Sequence, residues 1–452
     1  MMGAAVWALL LYILLIILWV VVIKRNIGEA MILGLFFVAL FGGREFFTLV
    51  WEGIKFGATH EVLYAAMSFV FMAHLVDRTG LIERIINILN SLLGRIPGGA
   101  GYVDTVASAM FGAISGSGSG NTAAVGAITI PWMKNSNWKS HQAATIAAGN
   151  AGMGISIPPS GSMFILLGMS AIGALVTEGQ LFIALLIGGL YTLIYRLIFV
   201  FFYVRYHKIG KISSEEMTPI RKAFRSGWTS LLVFLGIVIP VVLTIGPVSE
   251  MLMSIPSIGE DGLSDISIIL WVPVLIIIIS ILTSWKEIPK KPKEIYKLVE
   301  DSIPAFAVLG VILLFAFAAS YVLNNIGLGE QLAMLMENLN LPLTIVILIV
   351  GLLIVLVATP LTATATVTAI GLVSFETLVA AGVEPVVALV GILIFASTEG
   401  ATAPGAAPIF IASGIAKADP VKTFMPLLIF YVIPIAIIGW LVLMGILPIP
   451  II

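Results

Sequence analysis

Apolar runs long enough to cross a membrane recur from Met1 to Ile452, with no long polar stretch between them. The chain therefore reads as one membrane unit rather than a soluble domain on an anchor. Two patches break the pattern within the first half: residues 115–121 (SGSGSGN) and 157–162 (IPPSGS) interrupt otherwise apolar sequence with small polar residues, glycine and proline. Non-helical backbone at membrane depth persists only where it is buried in protein or lines a cavity, so these patches are the first candidates for a ligand site.

The runs around the patches are short. Residues 100–114 and 122–131 each fall below the roughly 20 residues that span a bilayer, and together they predict a re-entrant hairpin with its tip at 115–121. Residues 141–154 and 163–175 predict the halves of one broken helix, hinged at 157–160. The second half repeats the order with an arm at 345–358, a tip at 359–364, an arm descending to 380 and a broken helix around 399–408. Laying the halves on each other at a constant offset of 246 residues (122 onto 368) pairs Thr122-Ala123 with Thr368-Ala369 and Gly154 with Gly400. It also pairs Pro158 with Pro404, Phe164 with Phe410 and Gly168 with Gly414.

An amphipathic stretch precedes each hairpin, at 77–95 and 325–342, and both contain G-L-x-E (Gly80 to Glu83, Gly327 to Glu330). The first carries Arg78, Arg84 and Arg95; the second carries Glu330 and Glu337 and no basic residue. Basic against acidic places them on opposite membrane faces, as two halves of inverted topology require. The predicted fold is an all-α polytopic membrane protein with two re-entrant hairpins and two broken helices. Its expected divisions are scaffold helices and a first arm at 1–97, the first transport repeat at 98–175, scaffold and a second arm at 176–342, the second repeat at 343–416 and a C-terminal membrane helix at 417–452.

Composition agrees with a membrane protein. Hydrophobic residues make up 60% and charged residues 10%, against roughly 25% charged in soluble domains, and the mean hydropathy is +1.13. A net charge of −1 argues against nucleic-acid partners. Residues 5–23 lack a basic segment before them and are followed by Lys24-Arg25, so they read as a first membrane helix rather than a signal peptide. The basic loop 205–225 and the five lysines of 286–297 predict cytoplasmic faces, whereas 247–266, with Glu250, Glu260, Asp261 and Asp265 and no basic residue, predicts an external one. Crossings at 228–246 and 267–285 connect these loops.

The chain has no cysteine, which excludes disulfides, thiolate metal sites and a cysteine nucleophile. Its four histidines (His60, His74, His141, His207) show no metal-ligand spacing. The glycine–serine run fits neither a phosphate loop nor the elbow of a serine hydrolase. What it fits is ion and anion binding. Freed carbonyls and the hydroxyls of Ser115, Ser117, Ser119, Thr359, Thr362 and Thr364 offer the neutral oxygens that a weakly held hard cation takes. The half-helices expected to begin near Asn121, Gly161 and Gly405 present free N–H groups that favour a carboxylate. Glu399 lies within the apolar second half beside its helix break, where an acid carries a proton, holds a cation or pairs with a buried polar group. Asp104, early in the first hairpin, is expected near the membrane surface.

The stretch 97–134, PGGAGYVDTVASAMFGAISGSGSGNTAAVGAITIPWMK, followed by GMGISIPPS at 152–160, resembles the large membrane subunit of tripartite ATP-independent periplasmic (TRAP) transporters. The second half departs from that pattern at Thr402-Ala403-Pro404-Gly405, at Glu399, where a small residue is more usual, and at the threonine-rich tip. The resemblance implies Na+-coupled uptake of an organic acid by an elevator motion in the inner membrane of a bacterium or archaeon. It implies Na+ at Ser115, Gly116, Ser117 and Asn121 in one half, and near Thr362, Thr364, Ser397, Gly400 and Thr402 in the other, with Glu399 a further candidate cation ligand from its place beside the helix break. Substrate would touch Ser119, Asn121, Ser160, Thr364 and Gly405. No cofactor is expected beyond Na+ as the coupling ion. A small four-helix membrane subunit and a periplasmic substrate-binding protein would be separate partners.

Three alternatives were weighed. A stand-alone divalent-anion/Na+ symporter uses related hairpins with Ser-Asn-Thr at both tips, and only Gly120-Asn121-Thr122 comes close here. A membrane enzyme needs a nucleophile and base or a metal cluster at membrane depth, and only Glu399 and Asp104 offer candidates. An open channel fits inverted repeats with broken helices less well than alternating access does.

Overall fold

The computed structural model describes residues 3–211, 218–255, 259–264, 266–339 and 341–451, and these are helical with no strand. Asp265 and part of the basic loop, 212–217, lie outside the described residues. Among the described residues, seven helical segments are long and apolar enough to cross a bilayer: Ala4–Val22, Ile27–Thr59, Glu178–Tyr206, Ile220–Thr244, Pro292–Asn325, Ala363–Ala380 and Val421–Leu443. The longest unbroken α-helix, Glu178–Tyr206, starts with a capping box. The Thr177 hydroxyl accepts from Gln180 N–H, and the Gln180 side chain accepts from the Thr177 N–H.

Hydrogen bonds fix which ends of the helices lie together. Arg78 and Arg84, at the first amphipathic arm, bond Asp301 (2.8 Å) and Ser284 (2.6 Å), which flank the lysine-rich segment. The helix Glu61–Arg78 turns into that arm, Leu81–Leu93, through a 62° bend at Gly80, whose φ of 66° is open to glycine at little cost. The second arm, Leu328–Leu339, follows Ile303–Asn325, a helix about 34 Å long. There Gln331 accepts a hydrogen bond from Ala5 N–H at 2.8 Å, tying the arm to the start of the first membrane helix. The arms thus sit at opposite ends of Ile303–Asn325, the inverted arrangement their charges predict.

Both feet of the first hairpin stand on one side. Gly98 N–H donates to the Gly210 carbonyl (2.7 Å), and Gly210 N–H donates to the Ser136 carbonyl (3.2 Å). A single residue at the end of Glu178–Tyr206 therefore closes both ends of the hairpin. Its arms are Gly99–Ser115 and Gly118–Asn135. The tip is narrower than the sequence reading of 115–121. Gly116, at φ 62°, ends the first arm in a left-handed cap, and Ser117 begins the next arm at once by accepting from Gly120 N–H at 3.1 Å. Ser119 and Asn121, read from sequence as tip residues, stand instead in the first turn of the second arm.

The second hairpin, Leu343–Val357 and Ala363–Ala380, has a wider tip, and Thr362 caps its second arm through Ala365 N–H (3.3 Å). The broken helices are Ser140–Asn150 with Met153–Ser156 and Gly161–Leu167, and Pro385–Ala396 with Ser397–Ala401 and Ala407–Ala416. The last half-helix begins at Ala407, not at Gly405, because Pro408 fits a first helical turn, where its missing N–H leaves no bond unmade. Around this centre, Glu178–Tyr206 packs on the first hairpin and on Pro385–Ala396, and Ile433–Leu443 packs on Pro385–Ala396 and Leu343–Val357. Ile303–Asn325 packs chiefly on Ile27–Ala39 and Phe46–Thr59, forming a separate layer.

Candidate functional site

The two tips and the two helix breaks meet at one place. A side chain on Gly116 would lie 3.4 Å from Gly161 N, so the first tip touches the first break; in the second half Gly405 abuts the Thr359 carbonyl in the same way. The repeats also touch each other. Gly152 lies against the Ser397 carbonyl, and a side chain on Gly400 would come within 2.9 Å of the Ala148 carbonyl. Gly154 packs directly on the Gly112 backbone, an approach that only a residue without a side chain permits. Four interruptions, two from each repeat, thus meet at a common centre.

Asn121 organises the first half. Its Nδ2 donates to the carbonyls of Ser108 and Ala151, both at 3.1 Å, linking the two hairpin arms to the first break. Its Oδ1 is buried and has no hydrogen-bond partner among the described residues. Ser160 caps Gly161–Leu167 by accepting from Met163 N–H (3.1 Å) and donates to the Ile155 carbonyl (3.1 Å). Ser115 accepts from Ser117 N–H at 3.4 Å, and the Ser117 side of the tip is exposed.

In the second half, the Thr402 hydroxyl lies 3.3 Å from the Ala358 carbonyl and 3.1 Å from that of Glu399. Ser397 donates to the Ile394 carbonyl at 2.7 Å. Thr364 is half-buried, and its carbonyl accepts from the Thr368 hydroxyl (2.6 Å). Thr362 and Gly405 form an exposed rim, as Ser117 does opposite, whereas Ser397, Gly400 and Thr402 are buried below it. The structure gathers the expected site residues of both halves around one centre.

Glu399 lies between the halves. Its carboxylate accepts from Ala363 N–H, at the start of the second hairpin's returning arm, and its other oxygen lies against Gly118, at the start of the first hairpin's. The N-terminal ends of two helices from opposite repeats therefore converge on one carboxylate, and no basic side chain pairs with it among the described residues. Free amides and the positive end of the helix dipole both stabilise negative charge there.

Asp104 lies early in the first arm, Gly99–Ser115. It is fully buried, with one oxygen accepting from the Thr129 hydroxyl and the other from Asn150 Nδ2 at 2.9 Å. It joins the two hairpin arms to the first broken helix and lies apart from the tips. Sequence reading missed Arg196, whose side chain is wholly buried in Glu178–Tyr206 with Nε and Nη2 unpartnered among the described residues. Tyr431, also buried, lies within electrostatic reach of both Arg196 and Asp104. A lone arginine in the middle of a 29-residue apolar helix was the available signal.

Among the described residues no three histidine, aspartate or glutamate side chains are placed to hold a metal together. The candidate cation ligands are neutral oxygens, which suit a weakly bound monovalent ion more than a transition metal.

The family model for the tripartite ATP-independent periplasmic transporter, DctM component, matches residues 2–449. Among curated proteins, the chain is 36% identical over 115 residues to the 2,3-diketo-L-gulonate TRAP transporter large permease protein YiaN of Escherichia coli, covering 25% of this chain and 27% of that protein. It is 29% identical over 185 residues to the sialic acid TRAP transporter large permease protein SiaM of Vibrio cholerae, covering 40% and 42%. It is 28% identical over 180 residues to the C4-dicarboxylate TRAP transporter large permease protein DctM of Pseudomonas aeruginosa, covering 39% and 41%. These matches span less than half of each relative's own length. Two solved structures share the fold at 15% identity: Neisseria gonorrhoeae MtrF (TM-score 0.62, covering 88% of this chain and 85% of that one) and the Alcanivorax borkumensis YdaH transporter (TM-score 0.64, covering 89% and 87%).

Proposed function

The chain belongs to the tripartite ATP-independent periplasmic transporter family as a DctM component, and from that premise we propose that it takes up an organic acid by Na+ symport with an elevator motion. The observation that carries this reading is the meeting of two hairpin tips with two helix breaks around neutral oxygens and helix N-termini. Na+ is held in the first half by Ser115, Gly116, Ser117 and the free Oδ1 of Asn121. In the second half it is held by Thr362, Thr364, Ser397, Gly400 and Thr402, with the Glu399 charge beside both. The acid binds between the tips, at Ser119, Asn121, Ser160, Thr364 and Gly405, reaching from the exposed Gly405 to the buried Ser160. Glu178–Tyr206, within the scaffold expected at 176–342, and Val421–Leu443 pack on the hairpins and broken helices and give them a surface to slide on. The helices around Ile303–Asn325 form the fixed layer.

The protein works in the inner membrane with a small membrane subunit and a periplasmic binding protein, a reading supported by the tripartite periplasmic family to which it belongs. The test is the melting temperature of the detergent-purified chain titrated with NaCl against KCl at equal ionic strength, for the parent and for Ser117→Ala. A ligand bound only by the folded state raises the melting temperature by mass action. A saturable Na+-specific rise that Ser117→Ala weakens is expected; identical responses to both salts would count against Na+ coupling.

A further inference from the structure

The side of the molecule that holds the feet of the first hairpin carries a separate cavity, away from the tips. It measures about 760 Å³ and lies where three elements converge: the start of Ser140–Asn150, the end of Glu178–Tyr206, and Val421–Leu427 with Phe430 beyond it. Four basic side chains line it, Lys139, His141, His207 and Lys422, and no acidic one does. Both lysines and His207 are exposed, and none of the four has a carboxylate partner among the described residues. Asp419, the acid nearest Lys422 in sequence, accepts instead from Val421 N–H at 3.0 Å. The rest of the lining is largely aromatic: Phe202 and Tyr206 are 63% and 83% exposed on the last two turns of a membrane helix, and Phe430 adds a third ring. Gly210, which closes both hairpin feet, follows three residues after His207, so the cavity opens at the end of the span that leads into the basic loop 205–225. Exposed aromatic rings at such an end lie at the level of lipid headgroups.

We propose that this cavity binds an anionic phospholipid, with the phosphate held by Lys139, Lys422 and the two histidines and an acyl chain lying along Phe202 and Phe430. A phosphate diester brings one negative charge and several acceptor oxygens, which ammonium and imidazole N–H groups satisfy. Basic pockets between membrane helices on the cytoplasmic side, where the charge of 205–225 places this one, suit such headgroups. The long stems of the two lysines can lie along apolar surface while their charged ends reach the headgroup. A soluble anion would use the same donors and leave the exposed rings uncovered, whereas a lipid covers both the charge and the apolar flank.

The test uses the full chain in detergent, with melting temperature as the readout and dioleoylphosphatidylglycerol, dioleoylphosphatidylcholine and inorganic phosphate as probes. In the parent, phosphatidylglycerol is expected to give a saturable rise that the other two do not match at equal concentration. Lys139→Gln combined with Lys422→Gln is expected to weaken the apparent affinity for phosphatidylglycerol about thirtyfold, or about fivefold for each lysine. Lys139→Arg with Lys422→Arg keeps the charge and is expected to keep the response, which separates loss of charge from loss of fold. Lys293→Gln with Lys297→Gln removes two exposed lysines of the same predicted face that do not line the cavity, and is expected to change nothing. Equal rises with the two lipids would show that the headgroup is not read, and an equal rise with inorganic phosphate would make the ligand a soluble anion; either overturns the inference. So does an unaltered response in the first glutamine pair, or an equal loss in the second. None of these outcomes bears on Na+ coupling, which the comparison of NaCl with KCl decides separately.

Discussion

The two hairpin tips reach the same centre by different means. In the first repeat the chain reverses within Gly116 and Ser117, and Asn121 ties the returning arm to both the outgoing arm and the helix break. In the second repeat the turn runs from Ala358 to Thr362, the residue equivalent to Asn121 is the buried Val367, and Thr402 makes the link from the break back to the tip. The first tip is organised by a side-chain amide, the second by a hydroxyl and an acid. An inverted repeat therefore conserves where the backbone opens without conserving the groups that fill the opening. The two halves are free to bind different charges.

The sharpest way to break this comparison is to remove the close approach that both halves share. Gly154→Leu drives a side chain into the Gly112 backbone, and Gly400→Leu drives one into Ala148 and Ala151. Each is expected to cost about 3 kcal/mol or more, because the obstacle is backbone that cannot swing aside. Size-exclusion profiles and melting temperatures check this; a well-folded Gly400→Leu would mean that the second break is not held as the first is.

Asn121→Ala is expected to come next. It leaves the carbonyls of Ser108 and Ala151 unpaired and costs about 2 kcal/mol, with a weaker Na+-dependent rise in melting temperature. Thr402→Val, its functional counterpart, removes one weak hydroxyl contact and is expected to cost about 1 kcal/mol. Equal losses at the two positions would contradict the difference between the tips.

The caps sharpen the comparison further. Ser117→Ala and Thr362→Ala each remove one N-cap bond and are expected to destabilise by about 1 kcal/mol. Glu399 accepts from Ala363 N–H and lies against Gly118, the first residues of both capped arms, so the double variant is expected to depart from additivity by about 0.5 kcal/mol or more. The departure should vanish in a Glu399→Gln background. Additive behaviour in the parent would show that the two tips do not communicate through Glu399.

Much of this was legible along the chain. Gly116 with Ser117, and Pro158-Pro159 with Ser160, act on their immediate neighbours, so the hairpin and the break could be placed from local rules of capping and helix breaking. The extent of the first tip was misjudged because serine and glycine, poor helix formers, continue into a helix once Ser117 has capped it and the surrounding packing holds it. The burial of Asp104 was not legible because it depends on Thr129 and Asn150, neither of which is near it in sequence.

The sequence by itself determined that the chain lives in a membrane, that its apolar segments are interrupted at four places, and that its arms carry opposite charge. Hydropathy, helix-breaking residues and charge all act through solvent or adjacent residues and need no knowledge of distant partners. Only the tertiary structure decided that Glu399 meets the returning arms of both hairpins, at Ala363 and Gly118, and that Arg196 is enclosed. Glu399 lies 281 residues beyond Gly118 (399 less 118). A contact across that separation is set by how whole helices pack, and no local pattern encodes it.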